Sequence, residues 1–121
     1  MTGASPRILL LIPAYNEASR IGPVLETYAL YFREHHPDNF HLVVVLNGCT
    51  DDTLGVVERA SGQHPEISHV NIPEPIGKGG ALIEGLKLAP KADLVGYVDA
   101  DGATSPAAFD DLVTECAEAN C

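Results

Sequence analysis

The chain has 121 residues, enough for one domain with a real hydrophobic core. Apolar residues make up 45% of it, which excludes a disordered segment, and a formal net charge of -10 argues against nucleic acid as a partner. An anionic ligand would therefore need a cation, or the amides of a helix N-terminus, to hold it.

In chain order, Arg7 to Pro13 (RILLLIP) is a continuous apolar run, the pattern of a strand buried on both faces. Ile21, Val24, Leu25, Tyr28 and Phe32 then recur at helical spacing as far as His36, where Pro37 blocks continuation. Phe40 to Leu46 (FHLVVVL) reads as a second buried strand. NGCTDDT follows, with Thr50 or Asp51 as N-cap of a helix through Val56, Val57 and Ala60. A weaker strand is expected near His69 to Ile72, and PEPIGKGG leads into a third helix carrying Leu82, Ile83 and Leu86. ADLVGYVD reads as a fourth strand, and Phe109, Leu112, Val113 and Cys116 mark a last helix. Strands alternating with helices in this way predict an α/β fold, a mostly parallel sheet with helices on both faces.

Cys49, Cys116 and Cys121 lack any C-x-x-C spacing, so they offer neither a disulfide framework nor a zinc site and suit a reducing compartment. The apolar runs are too short for a signal peptide or a membrane span. The histidines have no ligand spacing, and no G-x-S-x-G or reactive-cysteine context occurs.

In an open α/β sheet, ligands gather at the carboxyl ends of the strands. The polar oddities of this sequence fall at that edge: PAYNE after the first strand, NGCTDD after the second, PIGKGG after the third and DADGA after the fourth. Each alone reads as a turn. Gly77-Lys78-Gly79-Gly80 lacks the Walker A spacing and is only a weak phosphate signal. Four clusters on one edge predict a site.

Asp99 and Asp101 carry the strongest chemistry. In extended backbone, residues i and i+2 point to one side, so both carboxylates converge. Like charges that close repel unless a cation lies between them or one takes a proton. Hard oxygen ligands in this arrangement suit Mg2+ or Mn2+, which keep water and bind substrate phosphates. Ala100 and Gly102 leave room for a ligand to approach.

IPAYNEASRI, VVVLNGCTDDT, GKGGALIEG and VDADGATSP, in this order, resemble the successive motifs of family 2 glycosyltransferases, which have the Rossmann-like GT-A nucleotide-sugar-binding fold. DADGAT, with GKGGA before it, is most similar to the dolichyl- or polyprenyl-phosphate glycosyltransferases of the β-glucosyltransferase type. The resemblance implies inverting transfer of a hexose from a UDP-glucose-like nucleotide sugar, with Mg2+ or Mn2+, to an acceptor such as a lipid phosphate. It implies that Pro13, Tyr15 and Glu17 line the nucleotide pocket and that Lys78 approaches the nucleotide or its phosphates. Asp99 and Asp101 would be the catalytic D-x-D pair, contacting ribose and holding the metal.

Asn47 departs from the family pattern, standing where a base-contacting Asp is usual, so UDP- and GDP-linked sugars both stay open. Asp51 matches the later Asp of that motif. Residues 1–121 would be a single donor-binding domain, the N-terminal part of the GT-A fold, with the acceptor-binding part absent. The expected location is cytoplasmic, at the cytoplasmic face of a membrane where the acceptor is a lipid phosphate. Two rival readings are a non-catalytic nucleotide-sugar-binding module and a nucleotidyltransferase. The second would want a Gly-rich loop after the first strand, and PAYNE is not one.

Overall fold

The computed structural model describes residues 7–87 and 92–119, apart from the side chains of Lys78 and residues 117–119. Its elements are β1 (Ile8–Ala14), α1 (Ile21–His35), β2 (Phe40–Asn47), α2 (Thr53–Gln63), β3 (Ile67–Ile72), α3 (Gly77–Lys87), β4 (Leu94–Tyr97) and α4 (Pro106–Ala119). The four strands form one parallel sheet in the order β3-β2-β1-β4. The expected α/β architecture, with helices on both faces, is present.

The two most apolar runs become the two central strands, because only there does a strand bury both of its faces. Ile8, Leu10, Ile12 and Ala14 of β1 join Leu42, Val44 and Leu46 of β2 against Leu25, Tyr28 and Phe32 of α1, Val57 of α2 and Phe109 and Val113 of α4. Leu9, Leu11, Val43 and Val45 point the other way, against Ala81 and Leu82 of α3. Gly85 lets α3 lie close to the sheet, since a Cβ there would come within 2.9 Å of Val45.

One face thus carries three helices and the other carries α3. Right-handed crossovers explain the division. The chain steps outward from β1 to β2 to β3 with α1 and α2 on one face, then returns past β1 to β4 and must cross on the opposite face through α3.

The strand expected near His69 begins earlier, at Ile67, whose side chain is buried. GKGG forms the first turn of α3 and does not precede the helix. Cys49 is a free thiol, whereas Cys116 is in a disulfide, which runs against the expectation of cysteines suited to a reducing compartment. No helix among the described residues is long and apolar enough to cross a membrane.

Candidate functional site

The strand order reverses between β1 and β4, and at such a point the loops leaving neighbouring strands part and open a crevice. Pro13, Ala14, Tyr15 and Glu17 from the end of β1, Asn47 from the end of β2, and Asp99, Ala100 and Asp101 from beyond β4 line a cleft of about 420 Å³ there. Six of the seven residues singled out in the sequence therefore share one cavity.

The β1 and β2 loops are stitched to each other. Asn16 takes up a left-handed conformation (φ 51°), which Asn tolerates better than most residues. Its side-chain oxygen accepts the N–H groups of Thr50 (2.7 Å) and Asp51 (3.2 Å). In return, the Glu17 N–H donates to the Thr53 hydroxyl at 2.9 Å and the Ala18 N–H to Asp51 Oδ2 at 3.2 Å. Asp51 Oδ1 receives the Thr53 N–H at 3.0 Å and the Thr53 hydroxyl as well. The Thr53 hydrogen bond is the main reason the Asp51 carboxyl lies below the ordinary aspartate range.

This knot corrects one expectation. The N-cap position of α2 is Asp52, not Thr50 or Asp51, and Asp52 makes no side-chain capping bond. Asp51, one residue earlier, serves the first helical N–H while tying down the neighbouring loop. Glu17 lines the cleft with its charge engaged, since its Oε1 accepts from Arg20 Nε at 2.8 Å.

Asn47 is buried, and its side-chain oxygen accepts the Ile76 N–H at 2.7 Å. Gly48 beside it has φ 70°, and a Cβ there would sit 2.7 Å from the Pro75 nitrogen. The third polar cluster thus packs its backbone against the end of β2, but none of its described residues line the cleft, so three of the four expected clusters form it. Lys78 lies in the first turn of α3, and its side chain falls outside the described residues.

Beyond β4 the strand-like alternation continues. Val98 and Ala100 are buried at 5% and 2% exposure, while Asp99 and Asp101 are exposed. The loop then turns at Gly102 (φ 81°), and Asp101 Oδ1 accepts the Ala103 N–H at 2.9 Å. Asp101 Oδ2 has no hydrogen-bond partner among the described residues, which leaves it for a ligand.

The donor set fits a hard divalent cation. Asp99 and Asp101 line the cleft together, with Glu17 engaged by Arg20, and the described residues hold no group of three or more potential ligands that would enclose a metal by themselves. Mg2+ and Mn2+ tolerate such a partial set when phosphates and water complete it. A second cleft of about 430 Å³ lies between β4 and α4, lined mainly by apolar residues such as Leu94, Tyr97, Phe109 and Leu112. The carboxylates and Asn47 gather in the first cleft instead.

Sequence reasoning missed Asn16, Thr53 and Tyr28. Asn16 carried a signal in its side-chain chemistry, as a residue suited to a left-handed turn between two cleft residues. Thr53 and Tyr28 carried none, because each bonds to a residue far away in the chain: Thr53 to Glu17 and Tyr28 to Thr104.

This arrangement has counterparts among solved structures. The mannosyltransferase PcManGT from Pyrobaculum calidifontis, in complex with GDP-Man and Mn2+, aligns with a TM-score of 0.72 at 33% identity, covering 81% of this chain and 28% of that one. S. aureus TarS 1-349 in complex with UDP aligns at 0.75 over 93% of this chain and 32% of that one; at 24% identity the likeness concerns the fold. Among curated proteins, the dolichyl-phosphate beta-glucosyltransferase ALG5C of Trichomonas vaginalis is 36% identical over 106 residues, 84% of this chain and 31% of the relative. The dolichyl-phosphate beta-glucosyltransferase of Saccharomyces cerevisiae is 29% identical over 101 residues, 78% of this chain and 30% of the relative. The chain thus spans about a third of the length of these relatives. The profile described as Glycosyl transferase family 2 matches residues 10–121, and the chain belongs to that family.

Proposed function

We propose that this chain is the donor-binding part of an inverting hexosyltransferase, taking a UDP- or GDP-linked sugar with Mg2+ or Mn2+ and serving a polyprenyl- or dolichyl-phosphate acceptor. The observation that carries this reading is the single cleft shared by Tyr15 and Asn47 on one side and Asp99 and Asp101 on the other. The relatives named as dolichyl-phosphate glucosyltransferases and the neighbour bound to GDP-Man and Mn2+ support the acceptor class and the donor class respectively.

Each group has a role in this reading. Tyr15, exposed at the cleft, offers a ring face for the base, and Asn47 offers its amide to the base edge. Asp99 and Asp101 would hold the divalent cation, which as a Lewis acid offsets the charge of the departing diphosphate. A chain of net charge -10 has a special need of that cation, because few of its own groups attract a diphosphate. Lys78 approaches the phosphates in the same reading. A lipid-phosphate acceptor is already ionised near neutral pH and asks little of a general base. Its positioning would fall to residues outside the donor cleft.

Calorimetry with UDP-glucose and with GDP-mannose, each with and without Mn2+, on wild type and Asp101→Ala, tests the proposal. The expected result is a Mn2+-dependent heat for one of the two donors in wild type, lost in the variant. Equal heats from both proteins would overturn the metal assignment.

A further inference from the structure

We propose that one face of α1, through Val24 and above all Tyr28, is a positioning device that sets where the Asp99/Asp101 pair stands and so tunes its affinity for a divalent cation. The inference rests on the nucleotide-sugar reading of the cleft and adds to it a residue that touches neither ligand nor metal.

Tyr28 is buried in the core with 1% exposure, its ring stacked near Phe32. Its hydroxyl leaves that core and donates to the Thr104 carbonyl at 2.5 Å. Thr104 stands three residues after Asp101, and the intervening turn is closed by the Ala103 N–H on Asp101 Oδ1. Gly102, at the bend, lies against Val24: a Cβ there would be 3.2 Å from the Val24 side chain. Two successive turns of α1 thus touch the loop within three residues of the carboxylate.

The far side of the loop is fixed by the same helix. Ser105 Oγ accepts the Ala108 N–H at 3.1 Å and begins α4. The first turns of α4 are bound to α1 by the Tyr31 hydroxyl on Asp110 (2.9 Å), by His36 Nε2 on the other oxygen of Asp110 (2.7 Å), and by the edge-on contact of Phe32 with Phe109. On the strand side, the Val98 N–H donates to the Leu11 carbonyl at 3.2 Å. Asp101 therefore hangs between two anchored ends, and Tyr28 is a polar anchor three residues beyond it. Burial pushes the Tyr28 hydroxyl up to about 12, so it keeps its proton and remains a donor at any working pH.

A Tyr28→Phe substitution keeps the ring packing and removes only the hydroxyl. The loss of one such hydrogen bond corresponds to about a fivefold change in an equilibrium constant. Mn2+ binding would be read from the paramagnetic resonance signal of the free ion, with the chain saturated with UDP and, in parallel, with GDP. Wild type, Tyr28→Phe, Val24→Ala and Asp101→Ala are compared, with nucleotide affinity in EDTA and thermal melting measured on each.

The expected result is a Mn2+ affinity about fivefold weaker in Tyr28→Phe, with nucleotide affinity in EDTA unchanged and melting within a few degrees of wild type. Wild-type Mn2+ affinity in Tyr28→Phe overturns the proposal, and so does an equal fall in the EDTA measurement, which would mean general deformation of the cleft. Where Tyr28→Phe melts far below wild type, Val24→Ala decides: weaker Mn2+ binding supports the mount, and unchanged binding overturns it. If wild type and Asp101→Ala hold the ion equally, the reading of the cleft itself has failed and this inference falls with it.

Discussion

The side-chain oxygen of Asn47 accepts the backbone N–H of Ile76 at 2.7 Å, across 29 residues of sequence. That bond fixes which way the amide faces and leaves the amide nitrogen, a donor, as the group Asn47 has for the cleft it lines. An aspartate here would keep the bond to Ile76 and offer the cleft an acceptor and a charge instead. Asn47→Asp is therefore expected to melt close to wild type while changing the ratio of UDP to GDP affinity. Asn47→Ala, which strands the Ile76 N–H, is expected to lose about 1–3 kcal/mol. Denaturant melts and nucleotide titrations on the two variants check this. Equal instability of both would mean that the Ile76 bond is not what the side chain provides.

Thr53 makes a second test. It is fully buried, and its hydroxyl both accepts from the Glu17 N–H and donates to Asp51. Thr53→Val keeps the shape and leaves both partners short, at an expected cost of about 1–3 kcal/mol and with weaker nucleotide binding through a loosened Tyr15–Glu17 loop. Thr53→Ser restores the hydroxyl and is expected to recover most of both. A valine variant as stable as wild type would remove Thr53 from the account of the site.

Gly48→Ala addresses the meeting of β2 with the loop before α3. The positive φ and the Pro75 nitrogen 2.7 Å from the added carbon act together, and backbone cannot move aside as a side chain would. The expected loss is about 2–4 kcal/mol, measured by urea unfolding. A loss under about 0.5 kcal/mol, the scale of an ordinary surface change, would show that Pro75 is free to shift.

Acid should destabilise the fold in two stages. Burial holds His41 below the ordinary histidine range, so the folded state resists its protonation. That contribution is complete above about pH 6.5 and is lost as the pH falls below it. Asp51, held down chiefly by the Thr53 hydroxyl, and Glu66, held down chiefly by Arg33, contribute stability above about pH 4 that is lost as the pH falls through their folded values. Unfolding free energies between pH 3 and 8 check the sign. His41→Gln is expected to flatten the upper stage alone; an unchanged upper stage would count against His41 as its source.

The fold was legible where the chemistry repeats. Leu9 to Ile12 and Leu42 to Val45 announce buried strands because both faces of each are covered, and Ile21, Leu25, Tyr28 and Phe32 announce α1 by their spacing. β3 was harder, since Ser68, His69 and Asn71 interrupt an edge strand that is only half-buried. The cleft was legible in outline because each strand end carries its own polar cluster. Its internal wiring was not, since Asn16, Thr53 and Tyr28 act on residues 34, 36 and 76 positions away, a distance no local pattern encodes. The N-cap of α2 was misplaced for the same reason. Asp51 looks like a capping residue, and only the three-dimensional neighbour at Ala18 reveals its second task.

The pairing of Leu9 with Val95 and of Leu11 with Tyr97 has a consequence for how this site evolves and fails. Side chains alternate along β4 and past it, with Leu94 packed against the core, Val98 and Ala100 buried, and Asp99 and Asp101 facing out. Sliding β4 by a single residue would invert that order, driving both carboxylates toward Phe109 and exposing the alanine between them. A shift of register by one residue within β4 therefore removes both carboxylates from the cleft together, whereas a shift of two keeps them on the same face.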